Sequence, residues 1–265
     1  MEEPAIDVRG LSHTFRRGRR LPVLQEFSIE ARPGAFVSLV GPSGCGKSTL
    51  LRVIAGLLVP EAGECRIGGE STIGRPGLAA YMPQKDLLLP WRRTLANATL
   101  GAEIAGVPKQ EARARALSLL DRFGLGGFER AWPSQLSGGM RQRLALLRTF
   151  LMPQRVLLLD EPFGALDAIT RRSMHQWLQE VWDEDRRTVL FVTHDVEEAL
   201  ILSDVVYVMT PRPGRLAATM VVDEPRPRDS HIVTTPGFVA RKAELLEALD
   251  RGTTESPESA SEGRA

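Results

Sequence analysis

Short apolar runs that alternate with helical patterns dominate this chain. Several runs are apolar throughout, as expected for strands buried on both faces, and the stretches between them repeat apolar residues at helical spacing. The predicted strands are residues 36–40, 156–159, 188–192 and 205–209, and the predicted helices are residues 47 to about 58, 168–185 and 196–202. Strands and helices in this alternation predict a parallel sheet covered on both faces, which is an α/β fold.

Two further regions have a different character. Four short segments outside the alternating pattern also predict strands, and they are residues 6–15, 23–29, 64–69 and 78–82. Residues 94–151 are rich in Ala, Leu, Glu and Arg and predict helices, with breaks at 106–108 and 124–133. The pattern therefore predicts an α/β core that is interrupted by a helical insertion.

Composition narrows the function classes without selecting one. The chain has 265 residues and a net charge of +1, so charge gives no argument for nucleic acid as a partner. The apolar runs fall short of the ~18 residues needed to span a bilayer, and the acidic N-terminus lacks the apolar core of a signal peptide. Cys45 and Cys65 suggest neither a disulfide framework nor a zinc site. If the protein works at a membrane, another chain must supply the membrane part.

A glycine-rich segment between a predicted strand and a predicted helix fits the G-x-x-x-x-G-K-[ST] pattern of phosphate-binding loops. Its residues are Gly41, Pro42, Ser43, Gly44, Cys45, Gly46, Lys47, Ser48 and Thr49. Converging backbone N–H groups and the positive end of the following helix favour a polyphosphate. In such a loop Lys47 reaches the β- and γ-phosphates, and Ser48 ligates Mg²⁺. A glycine-rich turn with a chance lysine is the alternative, and the flanking strand and helix both count against it.

Two carboxylates follow the apolar run 156–159. A buried strand delivers Asp160 and Glu161 to the carboxyl edge of the sheet, where α/β proteins bind ligands. Asp160 is expected to hold Mg²⁺, directly or through water. Glu161 is then placed to polarise the attacking water. An acidic turn without chemistry is the alternative, which the upstream phosphate loop disfavours.

Four more motifs resemble those of the ATP-binding-cassette (ABC) ATPases. They are the signature Leu136-Ser137-Gly138-Gly139-Met140-Arg141-Gln142-Arg143, the Q-loop Tyr81-Met82-Pro83-Gln84, the D-loop Gly164-Ala165-Leu166-Asp167 and the switch histidine in Thr193-His194-Asp195. With the phosphate loop and the acidic strand they stand in the order typical of that family. The resemblance extends to about Leu216, so it covers most of the chain.

The resemblance implies a fold and a domain organisation. The fold is a P-loop NTPase (RecA-like) α/β core with an N-terminal antiparallel β subdomain and an inserted α-helical subdomain. The ABC ATPase domain spans residues 1–222, with the helical insertion at about 86–152, and a C-terminal extension spans 223–265. The last dozen residues are rich in Ser, Glu and Gly and are expected to be disordered.

The resemblance also implies a dimer whose sites are shared. Two copies of the chain pack head to tail around two ATP molecules. Each ATP is held by the phosphate loop of one copy and by Ser137, Gly138 and Gly139 of the other. These residues open a predicted helix, so they offer backbone amides and a helix N-terminus to a γ-phosphate.

Individual roles follow from the same resemblance. Phe15 is expected to stack on adenine, or else to be a core phenylalanine. Gln84 is expected to sense Mg²⁺ and the γ-phosphate, and His194 to contact the γ-phosphate and orient the water. Asp167 is expected to contact the opposite copy, although capping the following helix explains it equally well.

Several loop strings are similar to one importer branch of the family, which serves nitrate, sulfonates, taurine and pyrimidine precursors of thiamine. Met140, where the commonest signature has Gln, is one of these features. The implied partners are integral membrane permease subunits and, indirectly, an extracytoplasmic solute-binding protein, and the implied location is peripheral, at the cytoplasmic face of the cell membrane. Residues 87–91 either line a groove for a permease helix or belong to a subdomain core. A non-transport ABC ATPase or a P-loop kinase is the alternative function.

Overall fold

A computed structural model of the chain describes residues 3–229 and 231–254. In chain order, the strands are β1 (Ile6–Arg17), β2 (Arg19–Ala31), β3 (Phe36–Val40), β4 (Ala62–Ile67), β5 (Glu70–Ser71), β6 (Ala80–Met82), β7 (Val156–Asp160), β8 (Thr188–Val192), β9 (Val205–Met209) and β10 (Leu216–Val221). The helices are α1 (Lys47–Ile54), α2 (Thr94–Ile104), α3 (Lys109–Leu120), α4 (Gly138–Phe150), α5 (Ala168–Asp185), α6 (Val196–Leu202) and α7 (Pro236–Thr254). The strands form a sheet of order β10-β9-β3-β8-β7-β6 and a second sheet of order β2-β1-β4-β5.

The central strands β3, β7 and β8 are buried along their whole length. Leu157 and Leu159 of β7 belong to the core under helices α2 to α6. Val156 and Leu158, which alternate with them, belong to a second core shared with α1 and the N-terminal strands. Successive side chains of a strand point to opposite faces, so a strand between two cores has no polar face. This is why the apolar runs in the sequence are continuous.

Parallel pairing aligns the loops that follow these strands. β3 pairs in parallel with β8 and β9, and β7 pairs in parallel with β6 and β8. The carboxyl ends of these strands therefore meet at one edge of the sheet, where α/β proteins bind ligands. The segments that begin at Gly41, Pro83, Glu161 and Thr193 all leave the sheet at this edge. The predicted parallel α/β core is confirmed.

The N-terminal sheet is antiparallel. β1 pairs with β2 from Ile6↔Ala31 to Arg17↔Arg19, and it pairs with β4 on its other side. The basic segment between the predicted strands is thus a tight hairpin, with Gly18 at a φ of 72° at its tip. The expected N-terminal antiparallel β subdomain is confirmed.

The predicted helical region forms α2, α3 and α4. Ala98, Ala102, Ala112 and Ala116 are fully buried in this region. Such small side chains allow helices to pack closely, and α2 packs against both α3 and α4. Within residues 3–229 and 231–254, no helix has the combination of length and apolarity that crossing a membrane requires.

The structure departs from the sequence-based expectations at three places. The predicted helix from 47 to about 58 was too long, because α1 ends at Ile54 and the chain turns at Gly56 with a φ of 74°. A Cβ atom at Gly56 would lie 2.5 Å from the backbone oxygen of Arg75, so only glycine fits this turn. β10 and α7 were not predicted. The disorder expected for the last dozen residues lies outside the described residues, apart from Thr254, which ends α7.

A buried arginine holds the C-terminal segment against the central domain. Arg228 is 3% exposed, and burial lowers its pKa to about 10. Its guanidinium donates hydrogen bonds to the backbone oxygens of Leu200, Ile201, Ser203, Val222 and Glu224. Gln179 of α5 also pairs with both the N–H and the C=O of Arg228, at 3.0 and 2.9 Å. This arginine therefore ties the ends of α6 and β10 to the segment that leads to α7.

Replacing Arg228 with Met should lower the free energy of unfolding by about 3 kcal/mol, because several buried carbonyl groups would lose their donor. Urea denaturation followed by tryptophan fluorescence measures the change. The matched control is Arg113→Met on the exposed face of α3, which should leave the unfolding midpoint unchanged. Equal midpoints for the two variants would contradict the structural role of Arg228.

Candidate functional site

The glycine-rich segment forms a tight loop between β3 and α1. Gly46 caps α1 with a φ of 119°, and a Cβ atom there would lie 3.0 Å from both Val23 and Leu24. At Gly41 a Cβ atom would lie 2.8 Å from the backbone oxygen of Met209. The loop can therefore fold this closely only with glycine at these two positions. Backbone N–H groups in such a loop, together with the N-terminus of the following helix, favour an anion.

Lys47 lies inside this loop. Its side chain is almost completely buried, and its Nζ atom donates hydrogen bonds to the backbone oxygens of Gly41, at 2.7 Å, and Pro42, at 2.9 Å. These are neutral partners for a buried cation. A polyphosphate would offer charged oxygens instead, which make stronger hydrogen bonds to an ammonium group.

The acidic strand meets the loop at Ser48. The Oγ atom of Ser48 donates to Oδ1 of Asp160 at 3.1 Å, and Asp160 is 2% exposed. Burial raises the pKa of Asp160, with the charge of Glu161 acting in the same direction and the Ser48 hydrogen bond acting against it. A cation beside Asp160 would offset the cost of its buried charge.

The oxygen donors present here fit Mg²⁺. The Asp160 carboxylate, the Ser48 hydroxyl and the Gln84 amide are the hard ligands that this ion prefers. In the described part of the chain, no group of three or more His, Cys, Asp or Glu side chains converges on a metal position. Mg²⁺ bound with a nucleotide needs few protein ligands, because phosphate and water oxygens supply the rest.

Glu161 lies at the centre of a polar cluster. Its Oε2 atom accepts a hydrogen bond from Nε2 of Gln84 at 3.2 Å and lies 3.4 Å from Nδ1 of His194. Its backbone has a φ of 48°, a left-handed conformation that is unusual for a residue with a side chain. Backbone positions with this kind of strain are enriched at functional sites.

Gln142 helps to hold the turn that carries Glu161, and no role was predicted for this residue. It is 6% exposed; its Nε2 atom donates to the backbone oxygen of Glu161 at 2.9 Å, and its Oε1 atom accepts from the N–H of Ala165 at 2.7 Å. The turn that carries Glu161 is thereby fixed from α4. Its position within the signature motif was the available signal.

A cavity of about 300 Å³ lies beside the phosphate loop. The residues lining it are Phe15, Leu21, Val23, Ser43, Gly44, Gly46, Lys47, Ser48, Thr49, Gln84, Glu161 and Arg212. Phe15 is partly buried, and its ring meets that of His13 edge to face at 4.7 Å. Arg212, which lies in the loop between β9 and β10, was not predicted as a site residue.

The signature and Asp167 do not line this cavity in the described part of the chain. Ser137 caps α4, with its Oγ atom accepting from the N–H of Met140 at 3.2 Å. Gly138 and Gly139 form the first turn of that helix. Asp167 caps α5 through the N–H groups of Ile169 and Thr170, which is the local explanation the sequence offered. One chain thus brings together the phosphate loop, Asp160, Glu161, Gln84 and His194.

A strand, a phosphate-binding loop, a helix and an acidic strand alongside define the P-loop NTPase class. Residues 24–164 match the family model described as "ABC transporter". The chain therefore belongs to the ABC transporter family, and it is an ATP-binding cassette ATPase. The family, the fold class and the ATPase class predicted from the sequence are confirmed.

Relatives match over most of the chain. The chain is similar to the aliphatic sulfonates import ATP-binding protein SsuB 1 of Rhodococcus jostii, with 48% identity over 92% of this chain and 93% of the relative. The taurine import ATP-binding protein TauB of Yersinia pestis is 39% identical over 85% of this chain and 90% of its own. The formylaminopyrimidine import ATP-binding protein ThiZ of Halalkalibacterium halodurans is 47% identical over 76% of this chain and 78% of the relative.

Solved structures show the same fold. The dimeric structure of MJ0796, a bacterial ABC transporter cassette, is 28% identical and superposes with a TM-score of 0.74 over 83% of this chain and 100% of that chain. A second dimeric structure of that cassette, in a post-hydrolysis state bound to ADP and Pi, matches equally well.

Replacing Asp160 with Asn should raise the free energy of unfolding at pH 7 in the absence of Mg²⁺. The raised pKa means that the folded state favours neutral Asp160, so the stability of the wild type falls as pH rises through that pKa. Asn is neutral at pH 7 and at pH 4. The difference in free energy of unfolding between the variant and the wild type should therefore be smaller at pH 4, where Asp160 of the wild type is largely protonated. Urea midpoints at the two pH values measure this difference. Asp183→Asn, at an exposed ion pair with Arg186, is the control. An Asp160→Asn variant that is less stable than the wild type at pH 7 would contradict a raised pKa of Asp160.

Proposed function

We propose that this chain is the ATP-hydrolysing subunit of a multi-component importer, which energises uptake of a small solute through a separate membrane permease. The observation that carries the proposal is the convergence of Lys47, Ser48, Asp160, Glu161 and His194 at one edge of the sheet. The similarity to three import ATP-binding proteins over most of their length supports the transport role.

The proposed binding step uses the phosphate loop. Backbone N–H groups of residues 43–49 and the ammonium of Lys47 hold the phosphates of ATP, and Phe15 stacks on the adenine. Ser48, Asp160 and Gln84 are the residues that would hold Mg²⁺. When bound, that ion would neutralise charge on the phosphate oxygens during transfer.

The proposed hydrolytic step uses Glu161 and His194. The carboxylate of Glu161 accepts a hydrogen bond from the attacking water and polarises it, and His194 orients the water and contacts the γ-phosphate. Gln142 and the backbone of Val192 fix the turn from which the Glu161 side chain extends. Preorganisation of this kind lets the carboxylate act without reorganising at the moment of reaction.

We propose that the site is completed by a second copy of the chain. Ser137, Gly138 and Gly139 present a helix N-terminus and lie outside the cavity of their own chain. In a head-to-tail dimer they would contact the γ-phosphate held by the partner, and Asp167 would contact the partner across the same interface. The dimeric structures of the related cassette support this arrangement.

Replacing Glu161 with Gln tests the hydrolytic step and the dimer together. The amide cannot accept the proton of the attacking water, so the variant should bind ATP with near wild-type affinity while its turnover falls about 10²-fold or more. Size-exclusion chromatography in ATP and Mg²⁺ should then show a stable dimer. Lys47→Ala is the comparison, since it should remain monomeric by losing the phosphate contact. A Glu161→Gln variant that stays monomeric in saturating ATP would contradict the shared site.

A groove beside the nucleotide site is proposed as the permease contact. It has a volume of about 620 Å³, and the residues lining it include Leu57, Gln84, Leu87, Ile104 and Asp160. Leu57, Leu87 and Ile104 are 53%, 60% and 78% exposed, which is high for large apolar side chains that line one groove.

Gln84 borders both this groove and the nucleotide cavity, so it can relay the state of the nucleotide. Of the apolar residues 87–91, Leu88 packs on the core while Leu87 and Trp91 are exposed.

The location of the subunit, its indirect partner, its cargo and its domain boundaries are also proposed. The subunit would be peripheral at the cytoplasmic face of the membrane, and an extracytoplasmic solute-binding protein would act on it only through the permease. The cargo would be a sulfonate, taurine, nitrate or pyrimidine-type solute, chosen by those other subunits. We also propose the division into an ATPase domain at 1–222, with its helical insertion at about 86–152, and an extension at 223–265.

Combining Leu57→Asp with Ile104→Asp should abolish co-purification with the permease subunits, because both charges would be buried against an apolar partner helix. Affinity capture of the assembled importer from detergent measures the loss. The control is Leu117→Asp, at a 44% exposed leucine on α3 that does not line the groove. Unchanged capture of the double variant would refute this groove as the docking surface. The melting temperature of each variant shows that it is folded.

A further inference from the structure

The loop between β9 and β10 packs against both the phosphate loop and β2. A Cβ atom at Gly214 would lie 2.5 Å from the backbone oxygen of Cys45, so only glycine allows the two loops to approach this closely. The N–H of Gly214 donates to the backbone oxygen of Val23 at 2.8 Å, and its own oxygen accepts from the N–H of Gln25 at 3.1 Å. These backbone contacts fix the position of the loop that carries Arg212.

Hydrogen bonds within the loop close it at its base. The N–H of Thr210 donates to the backbone oxygen of Arg215 at 3.0 Å, and Oγ1 of Thr210 accepts from the N–H of Arg215 at 2.9 Å. The same hydroxyl donates to the backbone oxygen of Pro211 at 3.0 Å. Arg212 therefore extends from a short turn that is tied together at both ends.

The side chain of Arg212 is available to a ligand. It lines the nucleotide cavity together with Phe15 and Leu21, and it is exposed there. Among the residues that the structure describes, none forms a hydrogen bond or an ion pair with its guanidinium group. The neighbouring Arg215 differs, since its Nε atom donates to Oε1 of Gln25 at 3.2 Å. A bound nucleotide can thus engage Arg212 without breaking an existing contact.

The order of the strands places Arg212 away from the reacting end of the cavity. β8 and β9 lie on opposite sides of β3, the strand that leads into the phosphate loop. His194 follows β8, and Glu161 follows β7 beyond it. Arg212 follows β9 on the other side. The phosphate loop therefore separates Arg212 from the two residues that are proposed to act at the γ-phosphate.

Contacts with β2 place Arg212 at the opposite end of the cavity. Leu24 and Gly214 form a parallel bridge, and this register sets Arg212 beside the stretch of β2 that contains Leu21. Leu21 in turn pairs with Phe15 across the β1–β2 hairpin. Arg212 and Phe15 therefore flank the same end of the cavity, which is the end proposed to hold the adenine.

We propose that Arg212 is a further nucleotide-binding residue, whose guanidinium group packs on the purine ring of ATP. This inference rests on the proposed function, because it takes the adenine to lie beside Phe15. A planar guanidinium over an aromatic face is attracted by the π electrons of the ring, and it can keep its N–H groups in the ring plane directed to solvent or phosphate. Because the contact is remote from the transferred phosphate, it stabilises the bound substrate and the transition state equally.

Replacing Arg212 with Met tests this role, since Met keeps an unbranched side chain and removes the planar cation. The KM for ATP and the dissociation constant for ADP should each rise about fivefold, while kcat should change by less than about twofold. Steady-state hydrolysis by the full chain and isothermal titration with ADP and Mg²⁺ measure these values. Arg215→Met is the matched control, because it removes the same charge from the same loop outside the cavity.

Three results would overturn the inference. They are equal ADP affinity of the wild type and Arg212→Met, equal weakening in Arg215→Met, which would indicate a general effect of charge, and full recovery of affinity in Arg212→Lys, which keeps the charge without the planar group. The melting temperature of each variant shows that it is folded. If Lys47→Ala loses ADP while Arg212→Met binds it normally, the ATPase role stands and only the role of Arg212 fails.

Discussion

Parallel pairing of β3, β7 and β8 is the constraint on which the rest of the structure depends. Each strand is buried between two apolar cores, and apart from Ser38 in β3, which pairs with Ser203, their side chains are apolar up to the strand ends. Pairing in parallel puts all of those ends at one edge. Lys47, Asp160 and His194 are far apart in the chain, and the pairing of the strands therefore places all three at the same edge of the sheet. The packing of apolar side chains thus decides where the chemistry takes place.

The same burial makes part of the site unfavourable for the stability of the fold. Asp160 is placed almost out of solvent, and its raised pKa records the unfavourable free energy of a charge in that position. Glu161 adopts a left-handed backbone that a residue with a side chain rarely takes up, and Gln142 is needed to hold it there. Stability is given up at two adjacent residues, both of which have proposed roles in catalysis. A bound cation would compensate the negative charge of Asp160.

Helices α5 and α6 connect the site to the C-terminal segment. Asp167 caps α5 and Asp195 caps α6, so the turns that carry Glu161 and His194 each lead into a helix N-terminus. Arg171, His175 and Glu198 join the two helices, and Gln179 with Arg228 joins them to the chain beyond β10. This continuous polar network connects the C-terminal segment to the proposed catalytic residues, although within residues 223–229 and 231–254 that segment contributes no side chain to the nucleotide cavity.

The sequence alone determined the α/β class, the family and the residues of the phosphate loop, because each depends on local pattern: continuous apolar runs, glycines at fixed spacing and carboxylates after a strand. The contacts of Gln142, the place of Arg212 in the cavity and the Arg171–Glu198 pair could not be predicted in this way, since their partners lie on other elements and only packing brings them together. The turn at Gly56, just after α1 ends at Ile54, was decided by the close approach of Arg75, and the capping of α5 by Asp167 was only one of two explanations. Tertiary structure decides such features because contact across a fold carries no signal in local sequence.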